Sequence, residues 1–131
     1  MFRSPNRLVG AALGVGYLLL GGLGFAVTQD LLAVDGGLLF GVLQVNGLQN
    51  LIHLLVGAVL VVGSIVGVPM ARATNTATGT LFLLLGLTGL FLAGNPFNVL
   101  AINAADNVLH FGSSVLLLAA GLGAEQRQHS T

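Results

Sequence analysis

Two histidines carry the chemistry that this chain could do. In VLQVNGLQNLIH, residues 42–53, and in VLAINAADNVLH, residues 99–110, a His follows an Asn by three positions: Asn50 and His53, then Asn107 and His110. Residues three apart share a helix face, so each pair presents an amide and an imidazole together. Two His at equal depth on facing helices can hold haem iron from both sides, and Gly57 would make room for the ring. His53, His110 and Asp106 could supply three zinc ligands, although the position matching Asp106 is Gln49, a poor ligand. Histidines within a membrane also serve in proton relays. The plainest use is structural: amides and ring nitrogens hydrogen-bonding between helices, each bond contributing about 0.6–2 kcal/mol.

The surroundings weigh these uses. Haem propionates near the outer surface want Arg or Lys, and the segments on that side have neither. Deeper than the two histidines lie only Ser64, Ser113 and Ser114, with Tyr17, Thr80 and Thr88 on the other two spans, so the inner half is too dry for a pathway. A blind outer pocket is expected rather than a channel. The structural use leads, with no metal and no cofactor expected. Haem b held by His53 and His110 is the alternative, and a proton or small-solute pathway is third. No Ser/His/Asp set, paired carboxylates or nucleotide motif supports an enzyme.

The remaining polar residues of the two segments read as helix caps. Asn46 and Asn103 precede apolar helical runs and are followed at the third position by Gln49 and Asp106, the spacing of a capping box with Asn in the first place. With helices starting at Gly47 and Ala104, the histidines are each the seventh helical residue, about 10 Å along the axis. Steps of three or four along that face reach Gly57 and Ser64, and Ser114 and Gly121. A polar tip leading into small residues marks a helix–helix contact, so spans two and four are expected to face one another.

The elements that position these residues follow from composition. Of 131 residues 55% are hydrophobic and only 6% charged, far from the mix of a soluble domain. Four Lys and Arg balance four Asp and Glu, which leaves no basic face for nucleic acid. Cysteine is absent, which excludes disulfides and thiolate chemistry. A membrane helix takes about 20 apolar residues, and four stretches qualify: 8–27, 47–68, 78–93 and 104–123, the third short enough to leave room for extension. Turn signals, Val68-Pro69 with Arg72 to Thr78 and Gly94-Asn95-Pro96, separate them. The expected fold is all-α, a single four-span membrane domain over 1–131 with tails at 1–7 and 124–131. The first apolar run is too long for a signal peptide's core and is expected to stay as a span.

Orientation follows from the arginines. Arg3, Arg7, Arg72 and Arg127 all fall on one side, and the other side carries Asp30 and Asp35. Both termini are therefore expected to be cytoplasmic, with the Asn/His segments opening outward. His129, in the polar tail 126–131, is expected to be solvated. Gly10 with Gly14, and Gly63 with Gly67, are packing motifs. Residues 29–44 are unusually apolar for an outer loop, so they lie in the interface or fold over the bundle's mouth.

The two His segments align at an offset of 57, matching Val42, Leu43, Asn46, Asn50 and His53 with Val99, Leu100, Asn103, Asn107 and His110. Tyr17-Leu-Leu-Leu-Gly21 echoes Phe82-Leu-Leu-Leu-Gly86 in the preceding spans. The pattern reads as a duplicated helical hairpin whose copies are related by a pseudo-two-fold along the membrane normal. Asn46, Asn50, His53, Asn103, Asp106, Asn107 and His110, set in glycine-rich hairpins, are also where the chain resembles the bacterial four-helix membrane family of domain of unknown function 4383. The resemblance implies a four-helix fold and a place in a bacterial inner membrane, and assigns no functional residues. The reading as a whole is a non-catalytic accessory or scaffold subunit. Its Asn/His cluster joins spans two and four, and its glycine faces meet a second copy or a partner in a membrane complex.

Overall fold

The computed structural model describes residues 3–124, so the tail bearing Arg127 and His129 lies outside the described residues. Helix α1 (Pro5–Val27) is followed by strands β1 (Gly37–Leu39) and β2 (Leu43–Val45). Helices α2 (Gly47–Val66), α3 (Val68–Leu92) and α4 (Ala104–Ala119) complete the order, the last widening into a π-helical turn at Ala120–Ala124. Four helices among the described residues, α4 counted through Gly123, are long and apolar enough to cross a membrane.

Local chemistry sets the helix ends. Ser4 accepts from the backbone N–H of Arg7 and Pro5 occupies the first turn of α1, where its missing N–H costs nothing, so residues 5–7 are helix rather than tail. Between α2 and α3 stands a single residue, Gly67, at φ 153°, a backbone shape that glycine tolerates. Pro69 again sits in a first turn. The stretch from Arg72 to Thr78, expected as a loop, is therefore helical, and the third span extends backwards to a 25-residue helix.

The loop after α1 contains a small antiparallel hairpin, with Gly37 opposite Val45 and Leu39 opposite Leu43. Phe40 and Gly41 both take positive φ, 54° and 70°, the shape of a tight hairpin turn, and Val42 N–H donates to Leu39 O at 3.1 Å. Periodicity did not reveal these three-residue strands, since the stretch is apolar on both faces. Leu39 and Val45 are buried whereas Leu38, Phe40 and Val42 point outward, so the loop covers the bundle with one face and offers an apolar surface with the other. It also feeds α2: Asp30 O and Leu31 O accept from the N–H groups of Gly47 and Leu48, two donors that a helix start leaves free.

Packing inverts the arrangement of a soluble bundle. The buried positions of α1 are Asn6, Gly10, Gly14, Tyr17, Gly21 and Gly24, while Leu8, Val15, Leu19 and Leu23 face outward. In α2 the buried set includes Asn50, His53, Gly57 and Ser64, and Leu55, Val59, Val62 and Ile65 are exposed. Small and polar residues inside with large apolar residues outside is what lipid demands, because hydrocarbon solvates Leu but not amides. Helix α1 packs closely along α2, and α3 along α4. The α2–α3 and α1–α3 contacts are lighter, and α2 and α4 hardly touch through their backbones. Spans two and four thus face one another through the rings of His53 and His110 rather than along a closely packed backbone seam. They stand across the bundle from one another, and the small-residue faces serve pairing within each hairpin.

Candidate functional site

The polar groups collect at the end where α2 and α4 begin. Asn46 Oδ1 accepts from Gln49 N–H at 2.9 Å and Asn103 Oδ1 from Asp106 N–H at 2.9 Å, which leaves each amide's Nδ2 free to donate elsewhere. The two donate reciprocally. Asn46 Nδ2 reaches Val99 O at 2.6 Å and Asn103 Nδ2 reaches Val42 O at 2.9 Å, so each cap grips the segment that leads into the other helix. Asn46 Nδ2 also lies 3.2 Å from Ala33 O in the hairpin loop.

The third cap residues behave differently. Asp106 Oδ2 accepts from Asn103 N–H at 3.0 Å and closes a capping box. Gln49 does not close one. Its Nε2 donates to Leu100 O at 2.6 Å, since an amide brings a donor that the carboxylate lacks and a carbonyl of the facing segment stands within reach. The backbone there is bent to suit: Ala101, fully buried, takes φ 52°, and Asn98 bonds Ile102 twice, accepting from its N–H and donating to its carbonyl.

Deeper in, four rings form a closed set. His53 and His110 meet with centroids 5.8 Å apart, steeply inclined at 66°. Phe82 stacks on His110 at 5.3 Å, Tyr17 stacks on Phe82 at 4.7 Å and returns to His53 at 5.1 Å. Tyr17 and Phe82 are the residues matched by the sequence echo, and each packs beside the His of its own hairpin. The Tyr17 hydroxyl shares a 2.6 Å hydrogen bond with Ser113 Oγ. The histidines are 2% and 1% exposed, and none of their four ring nitrogens bonds another protein group. The side-chain bonds expected between the Asn/His pairs are therefore not those the structure forms. Asn50 Nδ2 instead donates to Thr28 O at the end of α1 at 3.2 Å, and the Oδ1 atoms of Asn50 and Asn107 are unbonded. Asp106 does not complete a zinc set, for no group of three His, Cys, Asp or Glu among the described residues is placed to hold a metal.

Glycines allow these contacts. A Cβ on Gly24 would run into Asn50 Oδ1, and one on Gly89 would run into Asn107 Oδ1. Farther along, Gly14 lies against Val61 and Gly79 against Leu118, then Gly21 against Leu54 and Gly86 against Phe111. In each case the α1 and α3 positions are 65 apart and the α2 and α4 positions 57 apart. Gly57 closes on the Gly14 carbonyl and Leu18, so the space expected for a haem edge is taken by a contact with α1. The small residues farther in do likewise: Ser64 faces Gly10 of α1, Gly121 faces Thr76 of α3, and Ser114 Oγ donates to Phe111 O within its own helix.

The opposite end holds residues that no motif in the sequence marks. Arg7 Nε donates to Ser64 O at 2.7 Å and its Nη2 to Ile65 O at 3.2 Å, capping the last carbonyls of α2. Arg72, 65 positions on, donates to Gly121 O at 3.4 Å, 57 beyond Ser64. Nearby, Asn75 Nδ2 donates to the backbone and side-chain oxygens of Asn6 in the core. The spacing of Arg7 and Arg72 equals that of Tyr17 and Phe82, a signal that the charge count alone concealed. The expected outer pocket is present only in altered form. A cleft of about 490 Å³ lies between the two loops, lined by Val34, Asp35, Gln44, Asn95 and Asn98 among others, and neither histidine lines it.

A helical bundle with small and polar residues buried around an apolar core of Tyr17, Val56, Leu60, Phe82 and Leu117, an apolar exterior and helices of membrane-crossing length is the class of protein that these features define. The family model described as Domain of unknown function (DUF4383) matches residues 7–123, and the chain belongs to that family. No curated protein and no solved structure matches it.

Proposed function

We propose that the chain is a non-catalytic multi-pass protein of a bacterial cytoplasmic membrane, an accessory or scaffold component made of two equivalent hairpins fastened at their outer ends. The reciprocal exchange of Asn46 to Val99 O and Asn103 to Val42 O carries this reading. Each bond is the image of the other at an offset of 57, as a pseudo-two-fold along the membrane normal requires. The paired glycine contacts and the two arginine caps support the same symmetry. The termini, with Arg3, Arg7 and Arg72, face the cytoplasm, and the asparagine clasp faces outward.

The conspicuous polar side chains serve the chain's own assembly, and the histidines are closed off from the cleft. That is the disposition of a scaffold rather than of a reaction centre. Gly14, Gly21, Gly24, Gly79, Gly86 and Gly89 are occupied within the hairpins, so the surface offered to lipid, a second copy or another membrane subunit is mostly large apolar side chains, with Gly22 and Gly112 open among them. The haem alternative meets a packing objection. A porphyrin between His53 and His110 would have to displace Tyr17 and Phe82, which pack against them. Gentle purification from iron-replete cells tests this reading. A colourless protein is expected, and a stoichiometric haem spectrum lost in His53→Ala and in His110→Ala would replace the scaffold with a redox protein.

A further inference from the structure

We propose that His53 and His110 form a two-coordinate site for a soft monovalent cation, copper(I), at the centre of the bundle. The pair is nearly sealed from outside, at 2% and 1% exposure, and all four ring nitrogens are without a protein partner. An unbonded polar group surrounded by hydrocarbon costs several kcal/mol, so two imidazoles kept together there ask for a shared occupant.

The separation suits one ion. Two metal–nitrogen bonds of about 2 Å each, plus the distance from each nitrogen to its ring centre, place the centroids about 6 Å apart, and they stand 5.8 Å apart. A direct N–H···N bond would draw the rings closer, and none is formed. Linear coordination leaves the rings free to rotate about the shared axis, so the 66° between their planes is no obstacle.

The donor count selects the ion. No third His, Cys, Asp or Glu among the described residues joins the pair, which fails the four-coordinate demand of zinc. Imidazole suits copper, and the filled shell of copper(I) accepts two ligands in line. A single positive charge is also cheaper to bring into a low-dielectric interior than a double one. Phe82, stacked on His110, and Tyr17, packed against His53, hold the two imidazoles in place.

The test uses the full chain in detergent, stripped with a chelator and then supplied anaerobically with copper(I), with silver(I) as a redox-inert probe and with zinc(II). One copper or silver ion per chain should survive desalting, zinc should not, and X-ray absorption should report two nitrogen neighbours in line. His53→Ala and His110→Ala should each weaken binding at least about 100-fold, beyond the effect of losing an outer-sphere partner, and Asn50→Ala should leave it intact. A rise in the wild-type unfolding temperature with silver(I) gives a reading even if the alanine variants misfold. No stoichiometric uptake by the wild type, uptake unchanged in both histidine variants, or a preference for zinc would each overturn the proposal.

Discussion

Replacing Gly24 with Ala adds one methyl group where α1 meets α2, and the structure sets the size of the effect. The new Cβ lands on the Asn50 amide, whose Nδ2 donates to Thr28 O at 3.2 Å. Overpacking of this kind costs about 1–3 kcal/mol, and driving Asn50 from its bond adds about 1 kcal/mol. The better helix propensity of Ala returns about 1 kcal/mol, so a net loss of about 1–3 kcal/mol is expected. Gly22, two positions earlier on the open face, has no atom within 4 Å of a built Cβ, and Gly22→Ala should be neutral or slightly stabilising. Reversible unfolding in mixed micelles compares the two. The double variant Gly24→Ala with Asn50→Ala should lose less than the sum of its parts, because the small side chain removes the collision. Gly89→Ala should likewise destabilise through its collision with Asn107 Oδ1. Equal stability of Gly24→Ala and Gly22→Ala would refute the close-approach argument.

Arg7→Ala removes two bonds to the end of α2, one of them 2.7 Å, and Arg72→Ala removes one of 3.4 Å, so the first should destabilise by about 1 kcal/mol or more and the second by less. Thermal unfolding of the two single variants checks the order, and a greater loss from Arg72→Ala would contradict it. For orientation, a reporter active only in the cytoplasm should work when fused after Thr131 and fail within residues 30–37; the opposite pattern would turn the clasp inward.

Much of the fold was legible because lipid imposes simple rules. The Asn-Gly and Asn-Ala pairs located the starts of α2 and α4 to the residue, since a cap at Asn46 or Asn103 needs only local geometry, whereas α2 ends two residues before the expected 68, at Val66. The start of α3 was hidden because Pro69 reads as a breaker, whereas at the first turn of a helix it fits. The β-hairpin was hidden because three-residue strands leave no period to detect. At the site, the spacing of Asn50 with His53 and Asn107 with His110 announced two polar faces but not what they meet. The histidines meet each other only as rings, between Tyr17 and Phe82. The fastening falls to Asn46, Asn103 and Gln49, whose partners are backbone carbonyls, and a carbonyl carries no sequence signature. The arginine caps escaped notice for the same reason.

Cutting the chain at the turn tests the clasp most directly. Residues 1–67 and 68–131, expressed together as two polypeptides in one membrane, each retain a helical hairpin with its internal glycine contacts. The account predicts that the halves co-purify in equal amounts, and that Asn46→Ala together with Asn103→Ala separates them under the same detergent conditions. Halves that never associate, or that stay together as firmly without either asparagine, would contradict it.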